Sequence, residues 1–255
     1  MSDVTEHQTK IVQQFTRWAK PFAELPIHAE ADGMARTLAA LELDPEHRVL
    51  DVACGPGIVA CAIAEHVAHV TGVDLTPAML EQARARQAGL GLSNMDWREG
   101  DATRLPFHDG GFDRVATRYS FHHIPGPGAA LAEMVRVCRP GGRVVVIDAT
   151  PSAETQRAYD EMETLRDPSH ASAQTLEQLR GLGQALKLEE QRIDRYRLEA
   201  RLDTLSDQED MAALTALFEA DIASGRDEIG VGAWRAEDGI RFFFPISIVA
   251  WRTPG

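Results

Sequence analysis

Lysine, cysteine and long apolar runs are all scarce in this sequence of 255 residues. Three lysines stand against 23 arginines, which leaves few candidates for lysine-based chemistry. The cysteines Cys54, Cys61 and Cys138 follow no disulfide or metal-ligand spacing. We therefore predict neither a metal site nor a disulfide framework.

The longest apolar runs, residues 144–147 and 242–248, are too short to span a bilayer. The first residues lack the basic region and apolar core of a secretory signal. These features predict a cytoplasmic protein with reduced thiols and no membrane span.

The balance of charge is strongly acidic, with a net charge of −13 and a pI near 5.1. Binding to a nucleic-acid backbone needs a basic surface, so a nucleic-acid partner is excluded. An acidic protein suits a neutral or cationic small ligand.

Residues 49–60 are the most informative stretch that is present. An apolar run leads into a loop with Gly55 and Gly57 and then into an apolar-periodic segment. This pattern predicts strand, tight turn and helix. Glycines let backbone N–H groups approach a ligand closely, and the following helix N-terminus adds partial positive charge.

Helices and strands alternate around this loop. We predict five strands before residue 150 and two after it, in a parallel sheet covered on both faces. A helix over residues 5–24 precedes them, with Pro21 and Pro26 breaking or ending it. Thr76 is the expected N-cap of a helix that has Pro77 in its first turn, and residues 206–209 have capping-box spacing.

The glycine loop points to an adenosine-containing ligand. Gly55-x-Gly57-x-x-Ala60 satisfies the dinucleotide-binding pattern, a weak signal by itself. Asp74 ends the next strand, where a carboxylate can accept hydrogen bonds from ribose hydroxyls. The ligand is therefore either a nicotinamide cofactor or S-adenosylmethionine.

Three features favour S-adenosylmethionine. Asp51, just before the loop, can offset an ammonium charge but would repel a pyrophosphate. Asp101, after the third strand, can accept from the adenine amine while Leu75 or Met79 packs on the ring. A Tyr-x-x-x-Lys pair, the common acid/base device of short-chain dehydrogenases, is absent from the sequence.

Five motifs in order carry a family resemblance. They are residues 51–57 (Asp-Val-Ala-Cys-Gly-Pro-Gly), 73–80 (Val-Asp-Leu-Thr-Pro-Ala-Met-Leu), 100–107 (Gly-Asp-Ala, then Leu-Pro-Phe), 112–115 (Phe-Asp-Arg-Val) and 139–143 (Arg-Pro-Gly-Gly-Arg). The chain resembles class I S-adenosylmethionine-dependent methyltransferases of the ubiquinone/menaquinone type. The resemblance implies an α/β, Rossmann-like, doubly wound sheet of seven strands, mostly parallel with the last antiparallel, and helices on both faces.

The resemblance also implies which residues contact the cofactor. Arg118 is expected at its amino-acid end, and Ala53 stands where the family usually has glycine, so a shifted contact is expected there. The residues implied to contact it directly are Gly55, Gly57, Asp74, Asp101 and Ala102.

His122 and His123 are the candidate catalytic residues, as a general base or as groups that orient a substrate. The resembling group commonly shows His-His-x-x-Asp, but Gly126 occupies the last position here. We therefore expect no local acid to orient either imidazole. The alternative is that the pair only holds the loop before the next helix.

Substrate contacts are expected from two further segments. Phe15, Trp18 and Phe22 share one face of the first helix and would form a lid, with Phe15 against the cofactor. Asp167 and His170 lie in the region that roofs the substrate pocket in related enzymes. The alternatives are ordinary core packing for the aromatic residues and a simple turn for the other two.

The sequence thus predicts one methyltransferase domain over residues 1–255. It comprises a helical lid (1–44), a cofactor-binding core (45–150), and substrate-side helices with the last two strands (151–255). The predicted reaction is methyl transfer from S-adenosylmethionine to an oxygen, nitrogen, carbon or sulfur atom of a small molecule. An NAD(P)-dependent oxidoreductase and a non-catalytic cofactor-binding scaffold stay open as alternatives, as does a homodimer.

Overall fold

The computed structural model describes residues 3–24, 30–204 and 210–255. The strands are β1 (Arg48–Val52), β2 (His69–Asp74), β3 (Met95–Glu99), β4 (Phe112–Arg118), β5 (Cys138–Ala149), β6 (Glu189–Arg201), β7 (Trp234–Ala236) and β8 (Gly239–Arg252). The helices are α1 (Asp3–Glu24), α2 (Ala31–Leu41), α3 (Ile58–Ala64), α4 (Pro77–Leu90), α5 (Pro127–Val137), α6 (Gln156–Arg166), α7 (Leu176–Ala185) and α8 (Met211–Ser224).

The strands form one mixed sheet in the order β3-β2-β1-β4-β5-β8-β6, with β7 paired to β8. Strands β1 to β5 pair in parallel, and β8 lies antiparallel between β5 and β6. The strand order changes direction between β1 and β4. Ligands of open α/β sheets bind at the carboxyl ends of the strands at such a point.

Both faces of the sheet are covered, as the apolar strands predicted. On β5, Val144 and Val146 pack into one buried cluster, whereas Val145 and Ile147 pack into another. All four side chains are fully buried. The α/β fold with an antiparallel last strand is confirmed. The strand count differs by one, because the three residues of β7 lie in a stretch predicted as a loop.

Local expectations about helix ends were partly wrong. Pro21 lies inside α1 and does not end it. Pro77 occupies the first turn of α4 as expected, but the Thr76 side chain makes no capping hydrogen bond. The Asp74 carboxylate instead accepts a hydrogen bond from the Thr76 N–H at 2.8 Å. Pro26 and the expected capping box at 206–209 lie outside the described residues.

The described helices include none with both the length and the apolar character needed to cross a membrane. Within the same ranges, no group of three or more histidine, cysteine or acidic side chains is arranged to hold a metal ion.

Candidate functional site

Two cavities lie at the carboxyl ends of the parallel strands, the first at β1 to β4 and the second at β4 and β5. The first encloses about 1070 Å³ of empty space, counted to its open mouth. Its walls come from the ends of four parallel strands and from α1. The segments that line it are residues 53–56, 74–76, 100–103, 118–120 and 123–125, together with Gln8, Ile11, Phe15, Phe22, Ile58, Val59 and Met79.

The loop after β1 is held in a tight shape by unusual backbone angles. Ala53, Gly55 and Gly57 all have positive φ, at 54°, 52° and 75°. Glycine adopts this left-handed region freely, whereas a Cβ is disfavoured there. Ala53 lines the first cavity, so the departure from glycine adds backbone strain and places a methyl group at the cavity wall.

Gly55 and Gly57 have different roles. Gly55 lines the first cavity, and a Cβ there would meet no heavy atom within 4 Å. Gly57 lines neither cavity, and a Cβ on it would lie 2.7 Å from the Trp97 ring. This glycine therefore provides close packing behind the loop, and a cofactor contact by Gly57 stays a prediction.

Asp74 is fixed at the centre of the first cavity wall. Its two carboxylate oxygens accept hydrogen bonds from the N–H groups of Gly55 and Thr76, each at 2.8 Å. Burial raises the pKa of this carboxyl, and the two N–H donors only partly oppose that effect. The group is held rigidly, and each oxygen keeps a lone pair for a ligand.

Asp101 lies across the cavity, at the end of β3, with Ala102 beside it. One carboxylate oxygen accepts hydrogen bonds from the N–H and hydroxyl of Thr103, each at 2.8 Å. The other accepts from Nε2 of Gln8 on α1 at 2.6 Å. Leu75 and Met79 line the same cavity, as the sequence predicted for the ring-packing residues.

Asp51 lies behind the loop and lines neither cavity. It is 2% exposed, and its Oδ2 has no hydrogen-bond partner among the described residues. Burial raises the pKa of this carboxyl to about 7, although Arg118 opposes the shift. Arg118 itself lines the first cavity, with its guanidinium 4.8 Å from the Tyr119 ring centroid.

The second cavity encloses about 800 Å³ on the same basis and adjoins the first. Aromatic rings from α1, α6 and β8 make up much of its wall. The residues that line it are Gln14, Phe15, Trp18, Phe22, Tyr119, His122, His123, Asp148, Ala149, Tyr159, Glu163, Arg166, Asp167, Leu198, Phe244 and Ile246.

Four residues line both cavities, and we call them the shared wall: Phe15, Phe22, Tyr119 and His123. The Phe15 ring meets Phe22 and His123 edge-on, with centroid distances of 5.8 and 4.9 Å. The two cavities therefore adjoin along these four side chains. A group bound in one cavity lies next to a group bound in the other.

His122 has an acidic partner, which overturns the expectation that no acid orients it. Its Nδ1–H donates to Oδ1 of Asp148 at 2.6 Å, and both groups line the second cavity. Burial alone would lower the pKa of His122, but the Asp148 charge and hydrogen bond raise it overall. The acid comes from the end of β5, which pairs with β4 and so lies beside the histidines.

His123 is held differently. Its Nδ1–H lies 3.1 Å from the carbonyl oxygen of Ser169 and 3.2 Å from the Ser169 hydroxyl. Burial, and then the neighbouring His122 charge, lower the pKa of His123 to about 3. This imidazole is therefore neutral at physiological pH.

Asp167 and His170, the two predicted roof residues, differ in position. Asp167 lines the second cavity and accepts hydrogen bonds from the N–H and hydroxyl of Ser169. His170 lines neither cavity, and its Nε2–H donates to Asp160 at 2.7 Å. A direct substrate contact by His170 stays a prediction.

Sequence reasoning missed several cavity residues. Glu163 and Arg166 form an ion pair at 2.6 Å on the second cavity, and Gln8 and Asp148 were not singled out. An acid at the carboxyl end of a buried parallel strand was a usable signal for Asp148. No comparable signal marked Glu163 and Arg166, because oppositely charged residues at positions i and i+3 are common on solvated helix faces.

Comparisons with known proteins agree with this geometry. The methyltransferase domain family matches residues 50–146. The chain is 30% identical over 192 residues to the uncharacterized methyltransferase YcgJ of Bacillus subtilis (strain 168), covering 74% of this chain and 76% of that protein. The crystal structure of YcgJ from that species superposes with a TM-score of 0.80 at 25% identity, covering 88% of this chain and 99% of the other.

A further relative is the ubiquinone/menaquinone biosynthesis C-methyltransferase UbiE of Desulfotalea psychrophila (strain LSv54 / DSM 12343). It is 41% identical over 109 residues, which are 42% of this chain and 43% of that enzyme. The shared fold, the motif-bearing loops around the first cavity and these matches lead to one conclusion. The chain belongs to the class I S-adenosylmethionine-dependent methyltransferases.

Proposed function

We propose that this protein transfers a methyl group from S-adenosylmethionine in the first cavity to a small molecule in the second cavity. The observation that carries the proposal is the shared wall, because Phe15, Phe22, Tyr119 and His123 line both cavities. Reacting atoms have to approach to about 3–3.5 Å, so the sulfonium methyl and the acceptor atom would meet where the two cavities adjoin, beside these four side chains.

The residues of the first cavity fit this methyl donor. Asp74 and Asp101 line it, so its carboxylates favour a cationic ligand and would repel a pyrophosphate. Asp74 would accept from the ribose hydroxyls, Asp101 from the adenine amine, and Arg118 would hold the carboxylate of the amino-acid end. When bound, S-adenosylmethionine supplies a methyl group already activated by its sulfonium charge.

The first helix would act as a lid over both ligands. Gln8, Ile11, Phe15 and Phe22 line the first cavity, and Phe15, Trp18 and Phe22 also line the second. An apolar lid excludes water and holds the acceptor in line with the methyl group. In this division, residues 1–44 close the site, 45–150 bind the donor and 151–255 shape the acceptor cavity.

Much of the acceleration would come from positioning, because the leaving group is activated before it binds. The residues around the site would hold the nucleophile in line with the breaking carbon–sulfur bond and would exclude competing water. The three free, buried cysteines suit a reducing compartment such as the cytoplasm.

Calorimetry with S-adenosylhomocysteine and NAD is the first test of this function. We expect micromolar or tighter binding of S-adenosylhomocysteine and none of NAD. Tight NAD binding without S-adenosylhomocysteine binding would overturn the proposal in favour of an oxidoreductase.

Transfer of label from [methyl-³H]S-adenosylmethionine to a panel of hydroxyl, amine, thiol and activated-carbon acceptors is the second test. A labelled small-molecule product supports an enzyme. Binding of S-adenosylhomocysteine with no labelled product from any acceptor favours a non-catalytic scaffold.

A further inference from the structure

We infer that the methyl acceptor is a neutral, flat molecule with a hydroxyl group, and that Nε2 of His122 takes the hydroxyl proton while Asp148 orients the ring. This inference rests on the proposed methyl transfer and names the acceptor class and the base for it. It follows from the charges, the rings and the hydrogen bonds of the second cavity.

The charge inventory of the second cavity disfavours an anionic acceptor. Three carboxylates, those of Asp148, Glu163 and Asp167, face it against one guanidinium among the described residues of its wall. That guanidinium, on Arg166, already donates from Nε and Nη2 to the two carboxylate oxygens of Glu163, at 2.9 and 2.6 Å. A carboxylate or phosphate on the acceptor would face net repulsion.

The shape of the wall favours a planar body. Phe15, Trp18 and Phe22 project from α1, and Tyr159 and Phe244 face the same space from α6 and β8. Aromatic side chains pack flat ligands with offset or edge-on contacts.

Trp18 also lines this space, and its side chain carries one donor, the indole Nε1–H. It is buried and has no hydrogen-bond partner among the described residues. Such a donor is satisfied when a bound molecule offers an oxygen.

His122 is the one of the two histidines that can carry a proton. Asp148 accepts the bond from its Nδ1–H, so Nε2 is left to face the cavity; Nε2 makes no hydrogen bond with any described residue. Its ring centroid is 4.1 Å from that of His123, a residue of the shared wall. His122 therefore lies beside the place where the two ligands meet.

The electrostatic surroundings of His122 fit this role. The charged and titratable groups that face it from the packed elements are Asp148 on β5, Glu163 and Arg166 on α6, His123 beside it and His170 after α6. Asp148 and Glu163 raise the pKa of His122 against burial and Arg166. The pKa of His123, lowered to about 3, makes that imidazole a poor base.

The step balances as a single displacement. A lone pair of the acceptor oxygen forms the oxygen–carbon bond, and the carbon–sulfur bond breaks with its electron pair going to sulfur. The hydroxyl proton passes to Nε2 of His122, and the Asp148 carboxylate stabilises the imidazolium. The proton then leaves to solvent, so no oxidant or further reactant is needed.

The test uses acceptors of one shape that differ at the reacting group: 2-naphthol, 2-naphthalenethiol and 2-naphthoic acid. Single-turnover transfer from [methyl-³H]S-adenosylmethionine is measured for the wild type, for His122→Gln and for His108→Gln, a matched change at an exposed histidine. We expect His122→Gln to slow transfer to 2-naphthol about 100-fold. Transfer to the thiol, whose proton leaves readily without a base, should slow less than about threefold by the same reasoning.

Asp148→Asn separates a positioning role from a structural one. The wild-type rate with 2-naphthol should rise with pH through the pKa of His122, which lies above its ordinary value of 6.5. Removing the Asp148 charge should move that midpoint to lower pH, whereas a variant that is only less stable would lose rate at every pH. The same shift should appear in an NMR titration of the His122 imidazole, which needs no acceptor.

Several results would overturn the inference. Equal losses for 2-naphthol and the thiol in His122→Gln would remove the base role, and preferred methylation of 2-naphthoate would remove the neutral acceptor. Transfer to the thiol but to no hydroxylated acceptor, or tight S-adenosylhomocysteine binding without any transfer, would also overturn it. In those last cases donor binding survives, so the failure is distinct from failure of the first-cavity assignment.

Discussion

Gln8 Nε2 donates a hydrogen bond to Oδ2 of Asp101 at 2.6 Å, joining residues 93 positions apart in the sequence. The bond fixes the N-terminal half of α1 to the end of β3, across the mouth of the first cavity. At the other end of the helix, Arg86 Nη2 donates to the carbonyl oxygen of Ala23 at 2.8 Å. The helix is thereby held at both ends over the site.

Gln8→Ala should shorten the lifetime of the bound product. One charge-assisted hydrogen bond across a partly exposed contact is worth about 1 kcal/mol, so S-adenosylhomocysteine should dissociate about fivefold faster. Stopped-flow displacement measures this rate. Gln13→Ala, an exposed glutamine on the same helix, is the matched control and should leave the rate unchanged. Equal dissociation rates in both variants would mean that the bond does not hold the lid.

Asp74→Ala should weaken S-adenosylhomocysteine binding by about 1–3 kcal/mol, because it leaves ribose hydroxyls and two loop N–H groups unpaired. Calorimetry of the apo protein gives the affinity directly. Asp74→Asn keeps one carbonyl oxygen in place and should lose less. An unchanged affinity in the alanine variant would refute the ribose assignment.

Ala53→Gly should stabilise the protein. Ala53 has φ of 54°, and a non-glycine residue there pays about 1–2 kcal/mol of backbone strain, partly offset by the greater unfolded-state freedom of glycine. A net gain of about 1 kcal/mol corresponds to a Tm increase of about 2–4 °C. Ala60→Gly, in α3, should instead lower Tm, because glycine is unfavourable in a helix. A lower Tm for Ala53→Gly would show that the methyl group contributes more by packing than its backbone angle costs.

Asp51→Asn should make the free energy of unfolding less dependent on pH. Burial raises the pKa of Asp51 from 3.8 to about 7, so the folded protein keeps a proton that the unfolded chain releases. Stability contributed by that proton is complete at low pH and is lost as pH rises through about 7.

Between pH 5 and 8 this loss amounts to roughly 2–3 kcal/mol, and the asparagine variant should not show it. Urea unfolding of the apo protein at both pH values measures the difference. Glu81→Gln, at an exposed position on α4, should keep the wild-type dependence. An identical pH dependence for Asp51→Asn and the wild type would show that burial does not raise the pKa of Asp51 in the folded protein.

Much of the wall of the first cavity could be predicted from the sequence, because its residues lie at the carboxyl ends of the strands. Asp74 ends one predicted strand and Asp101 follows the next, so the alternation of strands and helices was enough to bring them to one edge. The roles of Gly55 and Gly57 could not be separated, because only the fold places Trp97 behind one of them and open space at the other.

The wall of the second cavity is formed by residues that are distant in the sequence, and no local sequence pattern predicts their contacts. His122 and Asp148 are 26 positions apart and meet only because β5 pairs with β4. Glu163 and Arg166 resemble an ordinary surface pair until the fold places α6 at the wall of the second cavity. The short strand β7 also escaped prediction, because three residues carry too little periodicity to distinguish a strand from a loop.

The shared wall has a consequence for how such a protein can change over evolutionary time. Phe244 and Ile246 on β8, together with α6, face only the second cavity, whereas the loops after β1, β2 and β3 face only the first. Under the proposed function, substitutions in the later part of the chain would change which molecule is methylated without changing the residues that hold the methyl donor. Four residues line both cavities, namely Phe15, Phe22, Tyr119 and His123. A substitution at any of them would affect the binding of both ligands.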